Sequence, residues 1–109
     1  MTLADTLAKQ KIDGVVEAVR YTSDGQIEWV RAYEWRGAAF SDHVLIRRPD
    51  FIARLKAGKR FVAGKRILYL GGKFETSYPV QLMNSHGSEV IVAGTSSTDR
   101  DRLEGVPLL

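Results

Sequence analysis

The run IDGVVEAVRYTSDGQIEWVRAYEWR, residues 12–36, decides the fold. Residues 12–22 are rich in valine and lead into Ser23-Asp24-Gly25-Gln26, where Asp-Gly is a strong hairpin signal because both positions tolerate the backbone of a tight turn. Residues 26–36 return as the second strand. A loop of two or four residues pairs Thr22 with Ile27, Arg20 with Trp29, Ala18 with Arg31, Val16 with Tyr33 and Gly14 with Trp35. One face of the hairpin then carries Arg20, Trp29, Arg31, Tyr33 and Trp35 together with Ile12, Val16, Ala18 and Ile27. The other carries Asp13, Glu17, Glu28 and Glu34 beside Val15, Val19 and Val30. Acids belong in water, so the aromatic face is expected to be the core. A three-residue loop would reverse the pairing.

Working outward, residues 40–46 read as a third strand after Gly37. Pro49 at a first helical position, Asp50 in the first turn, apolar Phe51, Ile52 and Leu55, and Gly58 just past the end describe a helix near 49–57. Residues 60–63 and 66–70 are strand-like and separated by Gly64. Gly71-Gly72 reads as a second hairpin turn into a strand over 73–84, with Phe74, Thr76, Tyr78, Val80 and Leu82 on one side. Pro79 cannot donate to a ladder, so that strand should be an edge there or carry a bulge. Ser85-His86-Gly87 turns the chain into a strand over 89–93, and residues 2–11, with Thr2 as cap, make a short N-terminal helix. The class is α+β and β-rich: one small domain of five or six mostly antiparallel strands, either a partly open barrel or a curved sheet. Residues 1–94 form that domain, and 95–109, opening with TSSTDRDRLEG, read as a flexible tail. Its apolar end, Val106-Pro107-Leu108-Leu109, gains only by docking on its own domain or on another chain.

At 109 residues the chain can bury a single core. With 44% hydrophobic and 27% charged residues it has the composition of a soluble globular protein. No apolar run approaches the roughly 20 residues of a membrane span. The absence of Cys removes disulfides and thiol chemistry, and the start lacks the pattern of a secretion signal, so a cytoplasmic location is the default.

The net charge of +3 conceals an asymmetry. Arg47, Arg48, Arg54, Lys56, Lys59, Arg60, Lys65, Arg66 and Lys73 face a single acid, Asp50, within one quarter of the chain. That segment suggests an anionic partner, either nucleic acid or an acidic protein surface. Within it, Ala57-Gly58-Lys59-Arg60 repeats as Ala63-Gly64-Lys65-Arg66. This is not a phosphate loop. The second glycine comes one residue late, Arg66 stands where the magnesium-binding hydroxyl should be, and the helix precedes the loop. The plainer reading is a helix cap at Gly58 and a bulge at Gly64, each followed by solvated bases.

Ser41-Asp42-His43 has the letters of a catalytic triad, but neighbours on a strand point to opposite sides. His43 and His86 have neither helical spacing nor Cys support for zinc. No catalytic residue, metal or cofactor is assigned. The leading expectation is a non-enzymatic binding or interaction module with a basic surface over 47–73, using Arg47, Arg48, Lys56, Lys59, Arg60, Lys65, Arg66 and Lys73. A second is a domain for single-stranded DNA or RNA, in which the same bases meet phosphates while Trp29, Tyr33 and Trp35 stack on bases. A small enzyme ranks third. A homodimer through the edge strand at Pro79 or through the tail is a further expectation.

Overall fold

The computed structural model describes residues 12–66, 74–85, 87–94 and 100–109. In chain order these form β1 (Gly14–Tyr21), β2 (Ile27–Glu34), β3 (Val44–Arg47), α1 (Arg48–Lys56), β4 (Phe61–Arg66), β5 (Phe74–Ser85), β6 (Ser88–Ala93) and β7 (Arg102–Leu103). The expected N-terminal helix, the Gly71-Gly72 turn, Lys73 and His86 lie outside the described residues.

The first hairpin forms around Asp24-Gly25. Gly25 has a φ of 83°, and the Thr22 amide donates to the Gln26 carbonyl at 2.7 Å. Next to the turn Ile27 faces Tyr21 and not the expected Thr22; a register shift between Arg20 and Tyr21 then restores the expected rows, Arg20 with Trp29 and Ala18 with Arg31. Further along, one extra residue enters β1 between Val16 and Ala18. Val16 therefore faces Ala32, and Val15 faces Tyr33. The core lies on the Val19 and Val30 face rather than on the expected aromatic face, and the bulge at Glu17 brings Val16 onto it. Val16, Val19, Val30 and Ala32 belong to the main core, whereas Trp29 and Arg31 lie on the opposite, outer face. The acids that had placed this face in water are handled individually. Glu17 is the bulged residue itself, and Glu28 and Glu34 stand at the two ends of β2. Asp13 precedes β1 and accepts the Arg60 amide at 2.9 Å.

The sheet has seven strands in the order β3-β2-β1-β4-β5-β6-β7 and is mixed. The expected five or six mostly antiparallel strands are corrected by two parallel pairs, β1 with β4 and β6 with β7. β1, β2 and β3 run back and forth, and α1 then carries the chain across the inner face so that β4 returns beside β1 in the same direction. The sheet does not close into a barrel. It curls around one core that gathers Val19, Val30, Ile46, Phe51, Phe61 and Ile91. α1 begins at Arg48 with Pro49 in its first positions and Asp50 in its first turn, where free amides favour an acid. It ends at Lys56, with Gly58 just beyond at a φ of 89°, and its Phe51 is fully buried.

Pro79 is not on an edge, since β5 lies between β4 and β6. Its missing donor is accommodated by the register shift between Val62 and Gly64 of β4. That shift also breaks the expected alternation along β5, and Tyr78 is exposed. Gly64 is needed for the approach of the two strands, because a Cβ there would lie 2.6 Å from the Glu75 carbonyl oxygen. Both glycines of the doubled AGKR thus have backbone reasons to be glycine.

From residue 95 the composition suggested a flexible tail, yet residues 100–109 run into the fold. β7 pairs with β6, Val106 is buried, and Val19 of β1 bridges Leu108. The Val19 amide donates to Pro107 and the Leu109 amide to Val19, each at 3.0 Å. The fastening is Asp101, whose side chain is 1% exposed. One of its oxygens accepts the Ile27 amide at 2.7 Å and Arg48 Nε at 2.7 Å. The other accepts the Ile91 amide at 2.9 Å and Arg48 Nη2 at 3.2 Å. Arg48 Nη2 also donates to the Glu89 carbonyl at 2.8 Å. The Arg48 pKa is raised, first by its hydrogen bond to Asp101.

Beside this hub the Tyr21 hydroxyl accepts the Leu103 amide at 2.9 Å. Burial raises the phenol above its ordinary pKa of 10.0; the Leu103 bond opposes the shift and the Asp101 charge adds to it. A phenol with a raised pKa in the fold holds its proton more tightly folded than unfolded. Its contribution is complete below the unfolded value and is lost as pH rises through the folded one. Denaturant melts between pH 9 and 11, on the scale set by a phenol near 10, should therefore show stability falling more steeply in the native chain than in Tyr21→Phe.

Candidate binding surface on the outer face of β1, β2 and β3

The outer face is built from cross-strand rows. Arg20 of β1 faces Trp29 of β2, and Trp29 faces Arg47 of β3. Residues directly opposite on antiparallel strands point the same way, so a partly exposed indole stands between two guanidinium groups. The next row is Ala18, Arg31 and Leu45, with Leu45 61% exposed. β3 is the end strand of the sheet, which leaves this face open on one side.

Two of the three arginines hold carboxylates. Arg20 Nε lies 3.2 Å from Glu28, with both side chains well exposed, and Arg31 Nε lies 2.7 Å from Glu17. The exposed Arg20 pair is weak, so it tethers that guanidinium group without consuming it, whereas Glu17 in the Arg31 pair is largely buried. Arg47 immediately precedes α1 but makes no side-chain cap, and it has no ion pair among the described residues. Glu17 also lies 3.4 Å from His43 Nδ1, and the His43 ring meets Tyr33 edge-on at 5.9 Å.

The stacking residues do not share one platform. Trp29 is on the open face. Tyr33 is only 7% exposed and packs against His43. Trp35 bridges Phe40, with the rings 5.2 Å apart, and lines a small cleft with Asp13, Glu34, Arg54, Lys59 and Phe61. The basic segment is likewise divided. Arg48 turns inward to Asp101, Lys56 pairs with Glu89 at 3.0 Å, and Lys65 pairs loosely with Glu75 at 3.7 Å. Lys59 and Arg60 are exposed and line a groove of about 290 Å³ with Ile12, Val62 and Pro79. Arg66 is described only by its backbone pairing with Phe74, and Lys73 lies outside the described residues. Of the six bases whose side chains are described, Arg47 alone is placed in the row with Trp29, and Arg20 joins it from outside the segment.

Ser41, Asp42 and His43 do not assemble into a triad. The Ser41 hydroxyl donates to the Asp42 carbonyl at 2.7 Å and accepts the Glu34 amide at 3.2 Å, while His43 faces Glu17. Among the described residues no three or more His, Asp or Glu side chains are grouped as metal ligands would be, and no helix is long and apolar enough to cross a membrane. No protein-family model matches this chain, and comparisons with curated proteins and with solved structures return no match either.

Proposed function

We propose that this domain is a non-enzymatic binding module whose contact surface is the outer face of β1, β2 and β3 and whose partner is anionic. One observation carries the reading: the row Arg20, Trp29, Arg47, in which an arginine with no ion pair among the described residues flanks an indole on an open sheet face. Guanidinium groups are planar, permanently charged and matched to oxyanions, and an unpaired one beside apolar surface meets an anion at little desolvation cost. Lys59 and Arg60 lie apart from this row, just before β4 at the Gly14 end of β1, whereas Arg20 is near the opposite end of that strand.

Inorganic polyphosphate tests the reading without supplying bases or peptide. Titrated into the labelled protein at about 50 and 200 mM salt, it should shift amides around Arg20, Arg31, Leu45 and Arg47 and bind more weakly at the higher salt. Arg20→Ala and Arg47→Ala should each lower the salt slope by about one, and Lys65→Ala should leave it unchanged. Shifts confined to Lys59–Lys65, or none at all, overturn the assignment of the surface.

A further inference from the structure

We infer that the anionic partner is single-stranded nucleic acid, taken with one base stacked on Trp29 and the phosphates on either side of it held by Arg20 and Arg47. The inference rests on the binding surface proposed above and adds the chemistry of the ligand. Neighbouring strands lie about 4.8 Å apart, so the Arg20 and Arg47 backbones stand about 10 Å apart with Trp29 midway. A single planar ligand group fits between two such side chains, whose long stems can close on charges to each side. A polymer that alternates a flat apolar ring with an anion supplies both chemistries at once.

The acidic neighbours point the same way. Glu28 on Arg20 and Glu17 on Arg31 place carboxylates where a ligand's phosphates would sit, so the free protein already holds two guanidinium groups in anion-receiving positions. An incoming phosphate must displace Glu28 from an exposed contact at 3.2 Å, a small cost that is larger at low salt. Glu28 therefore acts as an internal competitor, and its removal should tighten binding.

Leu45 in the adjoining row offers apolar surface for a second base or a sugar beside Arg31. A duplex is disfavoured, because its bases are already stacked and paired and a ring on a flat sheet cannot enter the stack. An acidic protein segment would satisfy the arginines and leave the exposed part of the indole without a ring to cover it.

The test uses short single-stranded DNA and RNA, the same strands with abasic positions, a duplex, polyphosphate and polyglutamate, followed through the two indole N–H resonances. Binding of the intact single strands should shift the Trp29 indole and leave that of Trp35 in place. Trp29→Ala should weaken binding roughly tenfold, in the range of one lost base stack, while Trp29→Phe retains most of it. Amide spectra of both variants report whether the fold survives, and Glu28→Gln, at a surface position, should tighten binding several-fold whether or not Trp29→Ala is usable. Abasic strands should bind like polyphosphate, without the indole shift. Equal binding of duplex and single strand, tighter binding of polyglutamate than of oligonucleotide, or an unmoved Trp29 indole each overturns the inference. If polyphosphate still binds at Arg20 and Arg47 in those cases, the anionic surface stands and only its ligand is wrong. If it does not bind, both readings fall.

Discussion

Asp101→Ala should destabilise the domain by about 3–5 kcal/mol, the cost of breaking a buried ion pair by removing one partner. The figure is large because one carboxylate serves four donor groups from three places in the chain, Ile27, Arg48 and Ile91. Without it the Ile27 and Ile91 amides lose their acceptor, and Arg48, whose side chain is 20% exposed, keeps only the Glu89 carbonyl. Against a typical domain stability of about 5–15 kcal/mol, such a loss consumes a large share of the total. Chemical denaturation of the native chain, Asp101→Ala and Asp101→Asn measures it. The asparagine retains one acceptor oxygen and should lose less, because its amide cannot accept from both backbone amides and Arg48 together. Equal stability of all three would mean that Asp101 fastens nothing. Hydrogen exchange should locate the damage first at Leu103, Leu109 and the Val19 amide, the contacts by which the C-terminal residues hold to β1 and β7 holds to Tyr21.

That hub could not have been found by reading the chain. Asp101 sits in TSSTDRDRLEG, a polar run without periodicity, and β7 is two residues long, too short to show alternation. What singles it out is spatial: the strands carrying Ile27 and Ile91 and the start of α1 meet there. By contrast, the Asp24-Gly25 turn and the Pro49 helix were legible, because local chemistry dictates each. Arg20 opposite Trp29 matches the expected row because a register shift between Arg20 and Tyr21 offsets the slip at Ile27, while beyond Ala18 a second shift moves every pair by one. A single inserted residue exchanges the faces of a strand, and nothing in Val-Val-Glu-Ala announces where it enters. For the site, the Arg20 and Trp29 pair could be read from the hairpin. The contribution of Arg47 required knowing that β3 lies beside β2, which no local pattern encodes. Charge counting marked Arg48 with the same weight as Arg47, although one residue further along the chain the guanidinium turns from solvent to a buried acid.

Phe51→Ala should cost about 3–5 kcal/mol, through lost burial and the cavity it leaves. Phe51 is wholly inaccessible and meets Phe61 edge-to-face, with ring centroids 5.0 Å apart at 85°, an arrangement worth about 0.5–1.5 kcal/mol beyond burial alone. Phe61 in turn leaves no room on its other side, since a Cβ on Gly14 would collide with its ring, so the pair has little freedom to relax into the space. Phe51→Leu fills most of the cavity and should lose less in the same melts. The more telling measurement is the double variant Phe51→Ala with Asp101→Ala. Phe51 and Arg48 are three residues apart on α1, hence neighbours on its surface. The helix is held at its first residue by an ion pair and one turn later by an aromatic contact. If α1 docks as a rigid piece, the first loss frees the helix and leaves the second anchor less to hold, so the two effects should fall short of additivity by about 0.5–3 kcal/mol. Full additivity would mean that the anchors act independently, with the Asp101 hub fastening the C-terminal strand and Phe51 alone fixing the helix against the inner face. The distinction bears on the binding surface, because Arg47 is the last residue of β3 and directly precedes α1. A helix that moves as one body carries the Arg47 side of the Trp29 row with it.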